Sequence, residues 1–260
     1  MASGQIEGRR VIITGGASGM AAALVGAFAR EGAKVVSMDL NETEGAKVAE
    51  AANGAGPGEA SFIRCDVTQR ASVEAAFAEA TKRLGGLDVL INAAGVAPFA
   101  PSHLMTDEQW DFVLDVNAKG TFLTNQAAFP HLKEKGGRII NFASGAGAGG
   151  YPGKAHYAAS KAAVLGWTRS IAREWGRYGI TANSICPGIR TPMFEKTLSE
   201  MTPEQREAQL AKHRENTPID GQMGDATRDL APVLVFLAGD GARFMTGQMF
   251  SIDGGRFVVR

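Results

Sequence analysis

Residues 10–21 read RVIITGGASGMA, in which a β-branched apolar run leads directly into a turn that contains Gly15, Gly16 and Gly19. The run is typical of a buried strand, and the Ala-rich residues that follow, 19–31, favour a helix. A second apolar run at 34–38 completes a unit of strand, helix and strand. Because a turn without side chains lets backbone N–H groups and the positive end of a helix approach a pyrophosphate, this segment predicts a dinucleotide-binding loop.

Asp39 stands at the end of the second apolar run, twenty residues after Gly19. A carboxylate at this position can accept hydrogen bonds from both hydroxyls of an adenosine ribose, and it repels a 2′-phosphate. We therefore expect NAD(H) to be preferred over NADP(H). The alternative is a solvated turn aspartate that binds no ligand.

Apolar runs alternate with longer helical patterns along the rest of the chain. Strands are predicted at 61–65, 88–91, 138–142, 180–185 and 248–252, and helices at 71–84, 107–132, 155–178 and 227–237. Nearly continuous apolar strands are buried on both faces, and crossover helices between them imply parallel pairing. We therefore predict one α/β domain over residues 1–260, a Rossmann-like doubly wound parallel sheet of about seven strands flanked by helices.

Composition excludes several classes of function. The chain has 27 basic and 27 acidic side chains, so its formal net charge is zero and its electrostatic field is too weak to favour nucleic acid or a membrane surface. The apolar stretch at 21–29 is too short to span a bilayer, and we expect a cytoplasmic protein. Cys65 and Cys186 are far apart and have no Cys/His cluster nearby, which predicts free buried thiols and no metal site.

A possible catalytic pair lies at 157–161, which read YAASK. Residues four apart on a helix share a face, so the Lys161 ammonium can lie beside the Tyr157 phenol. Lowering the pKa of a tyrosine from about 10 to about 7 requires about 4 kcal/mol, which one cation at about 4 Å supplies at an effective dielectric of about 20, so that no histidine is needed. A core aromatic beside a surface charge is the alternative, and a Tyr-x-x-x-Lys pattern arises by chance about 0.1 times in a chain of this composition.

Residues 6–259 resemble a short-chain dehydrogenase/reductase of the type that has about 250 residues. The family's glycine loop matches Thr14, Gly15 and Gly19, but Ala21 replaces its last glycine. The resemblance implies that Tyr157 exchanges a proton with the substrate oxygen and that Ser144 hydrogen-bonds the same oxygen. It also implies that Lys161 lowers the pKa of Tyr157 and binds the nicotinamide ribose, while Asn117 holds a water for proton exchange.

The same resemblance indicates the other residues that bind the dinucleotide, and it implies a homotetramer. Asp66 and Val67 match the adenine contact, Asn92 and Gly95 belong to the segment after the fourth strand, and a loop after the sixth strand would bind the carboxamide. The complete set of expected cofactor-binding residues is Gly15, Ser18, Gly19, Met20, Asp39, Asp66, Val67, Asn92, Gly95, Tyr157, Lys161, Pro187, Gly188, Ile189 and Thr191.

A polar helical insertion at about 190–224 predicts a substrate lid, since it follows the carboxyl end of a strand; a solvated surface helix is the alternative. The expected substrate pocket is lined by residues 96–99, 146–152, Phe194, Leu198 and Met201, which are mostly apolar. With only Arg190 and Lys154 as nearby cations, we expect a small, neutral, hydrophobic secondary alcohol or ketone. Reduction of a 3-oxoacyl thioester with NADPH and a silent nucleotide-binding scaffold remain alternatives.

Overall fold

Seven parallel strands form one sheet in the computed structural model, which describes residues 5–257 except for the side chains of residues 193, 196 and 197. The strand order is β3-β2-β1-β4-β5-β6-β7, which confirms the expected doubly wound α/β fold. The ends of the predicted domain, residues 1–4 and 258–260, lie outside the described residues. The strands are β1 Arg10–Thr14, β2 Lys34–Asp39, β3 Glu59–Arg64, β4 Val89–Asn92, β5 Gly137–Phe142, β6 Ile180–Pro187 and β7 Met249–Ile252.

Helices cover both faces of the sheet, and most lie where the sequence predicts them. They are α1 Gly19–Arg30, α2 Glu42–Ala52, α3 Arg70–Leu84, α4 Asp107–Leu114, α5 Gly120–Leu132, α6 Ala146–Gly149, α7 Ala155–Trp175, α8 Pro192–Ser199, α9 Pro203–Asn216 and α10 Ala231–Ala238. Shorter 3-10 or π turns occupy Asp115–Lys119, Gly176–Tyr178, Ala226–Leu230 and Asp240–Ala242.

Three departures from the sequence prediction concern the helices. The helix expected at 107–132 is divided by the π turn Asp115–Lys119, which a hydrophobic pattern does not reveal. The polar insertion consists of two helices, α8 and α9. Helices α2 and α6 are absent from the prediction, because α2 has few apolar residues and α6 reads AGAG, in which glycine disfavours a helix.

Burial on both faces explains the continuous apolar strands. Val11 and Ile13 of β1 belong to one hydrophobic cluster, whereas Ile12 between them belongs to a second cluster on the other face. Leu90 of β4 joins the second cluster in the same way. Full burial of one such side chain contributes about 1.5–3 kcal/mol, so the central strands are anchored from both faces.

The carboxyl ends of the central strands lie at one edge of the sheet. Thr14 pairs in register with Asn92, and Asn92 pairs with Asn141. The chain runs outward from β1 in one direction through β2 and β3 and in the other through β4, so a crevice forms between the loops that follow β1 and β4. Within the described residues, no helix has the length and apolar character required to cross a membrane.

Candidate active site

The glycine loop after β1 has backbone positions that disfavour side chains, by close contact at Gly15 and by a positive φ at Gly15 and Gly19. Gly15 has a φ of +75°, and its N–H donates a hydrogen bond to the carbonyl oxygen of Met38 at 2.7 Å. A Cβ at Gly15 would lie 2.7 Å from the Cα of Ala94, in the loop after β4. Gly19 has a φ of +60° and would place its Cβ in open space. The loop thus presents bare backbone at the start of α1.

Ala21, which replaces the last glycine of the family loop, is 3 % exposed. It belongs to the hydrophobic cluster that includes Leu24 of α1, and it also forms part of the cavity wall. The chain therefore accommodates a methyl group at this position by packing it into the core.

The Asp39 carboxylate is held at the end of β2 by two backbone groups. It accepts hydrogen bonds from the N–H of Ala17 at 3.1 Å and from the N–H of Asn41 at 3.0 Å. Asp66 lies on the same part of the wall, and its carboxylate accepts from the N–H and the hydroxyl of Thr68 at 2.9 and 2.7 Å. This end of the cavity combines bare backbone with fixed oxygen acceptors, as a dinucleotide requires.

One cavity of about 900 Å³ connects this end of the crevice with Ser144, Tyr157 and Lys161. All but one of the expected cofactor-binding residues lie on its wall. The exception is Asn92, whose amide nitrogen donates to Asn141 Oδ1 at 2.8 Å inside the sheet. The expected residues on the wall are Gly15, Ser18, Gly19, Met20, Asp39, Asp66, Val67, Gly95, Tyr157, Lys161, Pro187, Gly188, Ile189 and Thr191.

Three of the catalytic candidates, Ser144, Tyr157 and Lys161, lie on the loop after β5 and on α7. Ser144 follows β5, and its hydroxyl oxygen accepts from the N–H of Ala146 at the start of α6 at 3.1 Å. Lys161 is buried one turn after Tyr157 on α7, with its Nζ 5.8 Å from the centre of the Tyr157 ring. Lys161 Nζ also donates to the carbonyl oxygen of Phe142 at 2.7 Å, which fixes the ammonium beneath the cavity.

Burial dominates the ionisation of both groups. It lowers the pKa of Lys161 to about 8. It raises the pKa of Tyr157 above its usual value, and a hydrogen bond with Ser144 opposes that effect. In the protein by itself, desolvation of the phenol outweighs the hydrogen bond with Ser144, so the net shift of the Tyr157 pKa is upward. The expected effect of Lys161 on this pKa stays a prediction.

Asn117 lies in the π turn and does not reach the cavity wall. Its amide oxygen accepts from the N–H of Val96 at 2.8 Å, and its amide nitrogen donates to the carbonyl of Val96 and to Ser160 Oγ, both at 2.9 Å. A Cβ at Gly95 would lie 3.1 Å from Asn117 Oδ1 and 3.4 Å from Lys161 Nζ. The missing side chain of Gly95 thus leaves room for both groups.

The loop after β6 is anchored by backbone hydrogen bonds on both sides. The N–H of Gly188 donates to the carbonyl of Ile252 at 2.8 Å, and a Cβ at Gly188 would lie 2.6 Å from the Cβ of Asp253. The Thr191 hydroxyl accepts from the N–H of Phe194 at 3.3 Å, at the start of α8. Thr191 and Ile189 therefore have fixed positions on the cavity wall.

The expected substrate pocket is only partly correct. Val96, Ala97, most of the residues at 146–151, Phe194 and Met201 line the cavity. Leu198 is packed inside the protein instead, with 1 % of its surface exposed, and Phe99 projects outward with 70 % exposed. Both positions depend on how α8 and the loop after β4 pack, which the apolar character of the residues does not specify.

The sequence analysis did not predict that residues of α9 and of the segment after β7 line the cavity. Gln209, His213, Asp253, Arg256 and Phe257 all line the cavity. The ring of Phe257 packs against the loop after Ser144, since a Cβ at Gly149 would lie 3.1 Å from it. The only local signal is the GG turn at 254–255, which allows the chain to bend back after β7.

Cys65 and Cys186 are both free and buried, as expected, and burial raises the pKa of each thiol to about 11. Cys186 contributes to the cavity wall near Lys161. A thiol with so high a pKa remains protonated near neutral pH, so it has little nucleophilic character.

Comparison with known proteins extends over nearly the whole chain. A family model described as enoyl-(acyl carrier protein) reductase matches residues 15–256. The chain is 36 % identical over 256 residues to a 3-oxoacyl-[acyl-carrier-protein] reductase of Thermotoga maritima, covering 98 % of this chain and 100 % of that protein. It is 37 % identical over 261 residues to 2-(S)-hydroxypropyl-CoM dehydrogenase 3 of Xanthobacter autotrophicus, covering 99 % and 100 %.

A solved structure described as a putative short-chain alcohol dehydrogenase from Sinorhizobium meliloti superposes with a TM-score of 0.87 at 30 % identity, covering 96 % of both chains. The seven-stranded parallel sheet agrees with this likeness. The chain belongs to the short-chain dehydrogenase/reductase family of oxidoreductases.

Proposed function

We propose that this protein is an NAD(H)-dependent oxidoreductase that interconverts a secondary alcohol and its ketone. The observation that carries the proposal is the single cavity of about 900 Å³, on whose wall the glycine loop and Asp39 occur together with Ser144, Tyr157 and Lys161. A dinucleotide site and a proton-transfer site in one cavity suit hydride transfer to or from a carbon that bears oxygen.

Tyr157 is the general acid/base in this proposal. Its phenol would give a proton to the substrate oxygen during reduction and take it back during oxidation, while the Ser144 hydroxyl hydrogen-bonds the same oxygen as charge develops. The bound nicotinamide supplies or accepts the hydride. Because burial raises the pKa of Tyr157, formation of the phenolate depends on nearby positive charge.

Lys161 provides part of that charge and would also bind the nicotinamide ribose. Its bond to Phe142 uses one of three ammonium protons and leaves two for the ribose hydroxyls. Asn117 would hold a water for proton exchange, as the family resemblance implies; its backbone carbonyl accepts from the Thr121 hydroxyl at 2.8 Å. The Asn117 side chain positions Val96 and the loop after β4.

The preference for NAD(H) over NADP(H) rests on Asp39 and on the distribution of cations. Among the described residues of the cavity wall, the lysines and arginines are Lys154, Lys161 and Arg256, all from segments after β5. None of these three cations comes from the elements around Asp39 and Leu40, and the Asp39 carboxylate repels a 2′-phosphate.

Around the reacting carbon the proposed substrate is neutral and apolar. Val96, Ala97, Phe194 and Met201 surround this part of the cavity, and residues 190–224 would cover it as a lid. The family resemblance also supports a cytoplasmic homotetramer, which light scattering coupled to size-exclusion chromatography would test through the molar mass.

A second candidate is reduction of a 3-oxoacyl thioester, which the name of the Thermotoga maritima relative favours. That reaction would be expected to use NADPH, and Asp39 opposes it. Assays of both classes of substrate with NADH and NADPH would discriminate between the candidates. A silent nucleotide-binding scaffold would bind NADH and turn over neither class.

Tyr157→Phe tests the proposed chemistry, and Tyr151→Phe is the matched control because Tyr151 lines the same cavity. Removal of the Tyr157 hydroxyl should lower kcat by at least about a thousandfold, since general acid/base groups contribute about 10²–10⁴ and the phenol also orients the substrate. NADH affinity, measured by calorimetry, should change less than about threefold. Rates within about tenfold of the wild type in Tyr157→Phe would exclude the assigned role.

A further inference from the structure

We infer that the substrate carries a carboxylate at the end remote from the reacting carbon, and that Arg256 binds it. This inference rests on the proposed function and specifies its substrate class. It starts from Arg256, which is the one arginine among the described residues of the cavity wall and lies in the segment after β7.

Arg256 lies in the half of the cavity that the substrate would occupy. The next residue, Phe257, packs against the loop that follows Ser144, at 3.4 Å from the position of a Cβ on Gly145. Asp39 and the glycine loop belong to strands on the other side of the cavity, β1 and β2. Arg256 therefore directly precedes a residue that packs on the catalytic serine loop, and its guanidinium contacts His213 of α9 rather than β1 or β2.

The Arg256 guanidinium has no anionic partner among residues 5–257. Its hydrogen-bond partner is His213 of α9, whose Nδ1 lies 3.1 Å from an Arg256 nitrogen. Since arginine can only donate, Nδ1 accepts and the imidazole is neutral. Burial lowers the pKa of His213, and the charges of Arg256 and Lys212 lower it further. A neutral histidine orients the guanidinium without compensating its charge.

The nearest carboxylate in the sequence, Asp253, is already committed to the backbone. It accepts from the N–H of Gly255 at 3.1 Å and from the N–H of Phe257 at 2.9 Å. Lys154 adds a second cation on this half of the wall, where its Nζ lies 5.7 Å from the centre of the Tyr151 ring. These two cations outnumber the Asp253 carboxylate, which also lies on this half of the wall, and a planar guanidinium fork matches a carboxylate.

This inference replaces the expectation of a substrate that is neutral throughout. That expectation considered only Arg190 and Lys154, and Arg190 forms an ion pair with Glu195 of α8. The available cation comes instead from Arg256. A substrate that fits both the apolar part of the cavity and Arg256 has an apolar middle, a ketone or secondary alcohol at one end and a carboxylate at the other.

The test compares charged and uncharged forms of the same ketone. The probes are methyl ketones with two to eight methylene groups and a terminal carboxylate, each paired with its methyl ester, reduced with NADH at pH 7. For the best chain length, kcat/KM should be at least about tenfold higher for the acid than for the ester. Arg256→Gln should reduce this ratio by about tenfold to a hundredfold, as expected for a charge-assisted hydrogen bond, and Arg256→Lys should keep part of it.

Arg206→Gln is the matched control, because Arg206 is an exposed arginine of α9 and should leave the ratio unchanged. A substitution that only damages the lid would lower kcat/KM for the acid and for the ester alike, so the acid-to-ester ratio would not change. An acid-to-ester ratio near one in the wild type, or a ratio that Arg256→Gln does not change, would overturn the inference while the proposed function stands.

If no ketone is turned over, the proposed function fails, and binding still decides the inference. Calorimetry with the Tyr157→Phe variant and saturating NAD⁺ should show at least tenfold tighter binding of the acid than of the ester, and Tyr157→Phe combined with Arg256→Gln should abolish the difference. Equal affinities for acid and ester would reject the role of Arg256.

Discussion

Replacing Lys161 by Met should stabilise the protein while it removes turnover. Lys161 is 5 % exposed, and burial lowers the pKa of its ammonium from 10.5 to about 8. At about 1.4 kcal/mol for each pH unit, this difference corresponds to about 3 kcal/mol of lost stability at pH 7, where the ammonium is charged in both states. Met deprives the Phe142 carbonyl of a donor, which costs about 1 kcal/mol. The expected net gain is about 2 kcal/mol.

The assay is thermal and urea unfolding of cofactor-free protein from pH 7 to pH 10.5. At pH 7 the variant should have a Tm higher by about 4–8 °C. As the pH rises above about 8, the folded wild type loses the Lys161 proton while the unfolded chain retains it until about 10.4. The unfolded state then binds more protons, so the wild type gains stability and the advantage of the variant should shrink.

Lys82→Met is the control, since Lys82 is exposed on α3. Its Tm should stay within about 1 °C of the wild type with no trend in pH. The reasoning would be refuted if Lys161→Met were less stable than the wild type at pH 7, or if the difference between them did not change between pH 8 and pH 10.5. Either result would mean that the buried ammonium is well compensated in the folded protein.

Four further substitutions follow from the same geometry. Gly15→Ala should abolish NADH binding in calorimetry and destabilise the protein, because Gly15 has a positive φ and the new Cβ would lie 2.7 Å from the Cα of Ala94. Gly166→Ala on α7 is the control: its Cβ would meet no atom within 4 Å, so the substitution should stabilise the protein by up to about 1 kcal/mol. Asp39→Asn should reduce the preference for NADH over NADPH in kcat/KM by at least about tenfold, and an unchanged preference would contradict the assigned role of Asp39. Asn117→Ala should lose about 2–3 kcal/mol of stability in urea unfolding, because three buried hydrogen bonds disappear; a purely catalytic role would leave the unfolding midpoint unchanged.

The strands of this protein were predictable because they are buried on both faces. A run of β-branched residues such as 11–14 favours an extended conformation whatever its partners are, and the strand that this run predicts is β1, Arg10–Thr14. The π turn at Asn117 was not predictable. Its cause is the set of bonds from Asn117 to Val96 and Ser160, and these partners lie 21 and 43 residues away.

The side-chain directions of the candidate residues also depended on packing. Asn92 and Gly95 belong to one short motif, yet Gly95 lines the cavity and the Asn92 amide is turned to Asn141 of the next strand. Successive residues of a strand point to opposite faces, and which face meets the crevice depends on the neighbouring strands. Motif spacing indicates which residues are near a site, and it does not indicate which of them face it.

Local patterns were therefore sufficient for the fold, the glycine loop, Asp39 and the Tyr157 and Lys161 pair, because each depends on residues within about twenty positions along the chain. The ionisation of Tyr157 and Lys161 was determined only by the folded environment, since desolvation depends on every group that packs around them. The same holds for Arg256 and His213, which are 43 residues apart in the chain. Their contact on the cavity wall exists because α9 and the segment after β7 fold over the same crevice. Local sequence patterns do not predict that these two segments meet.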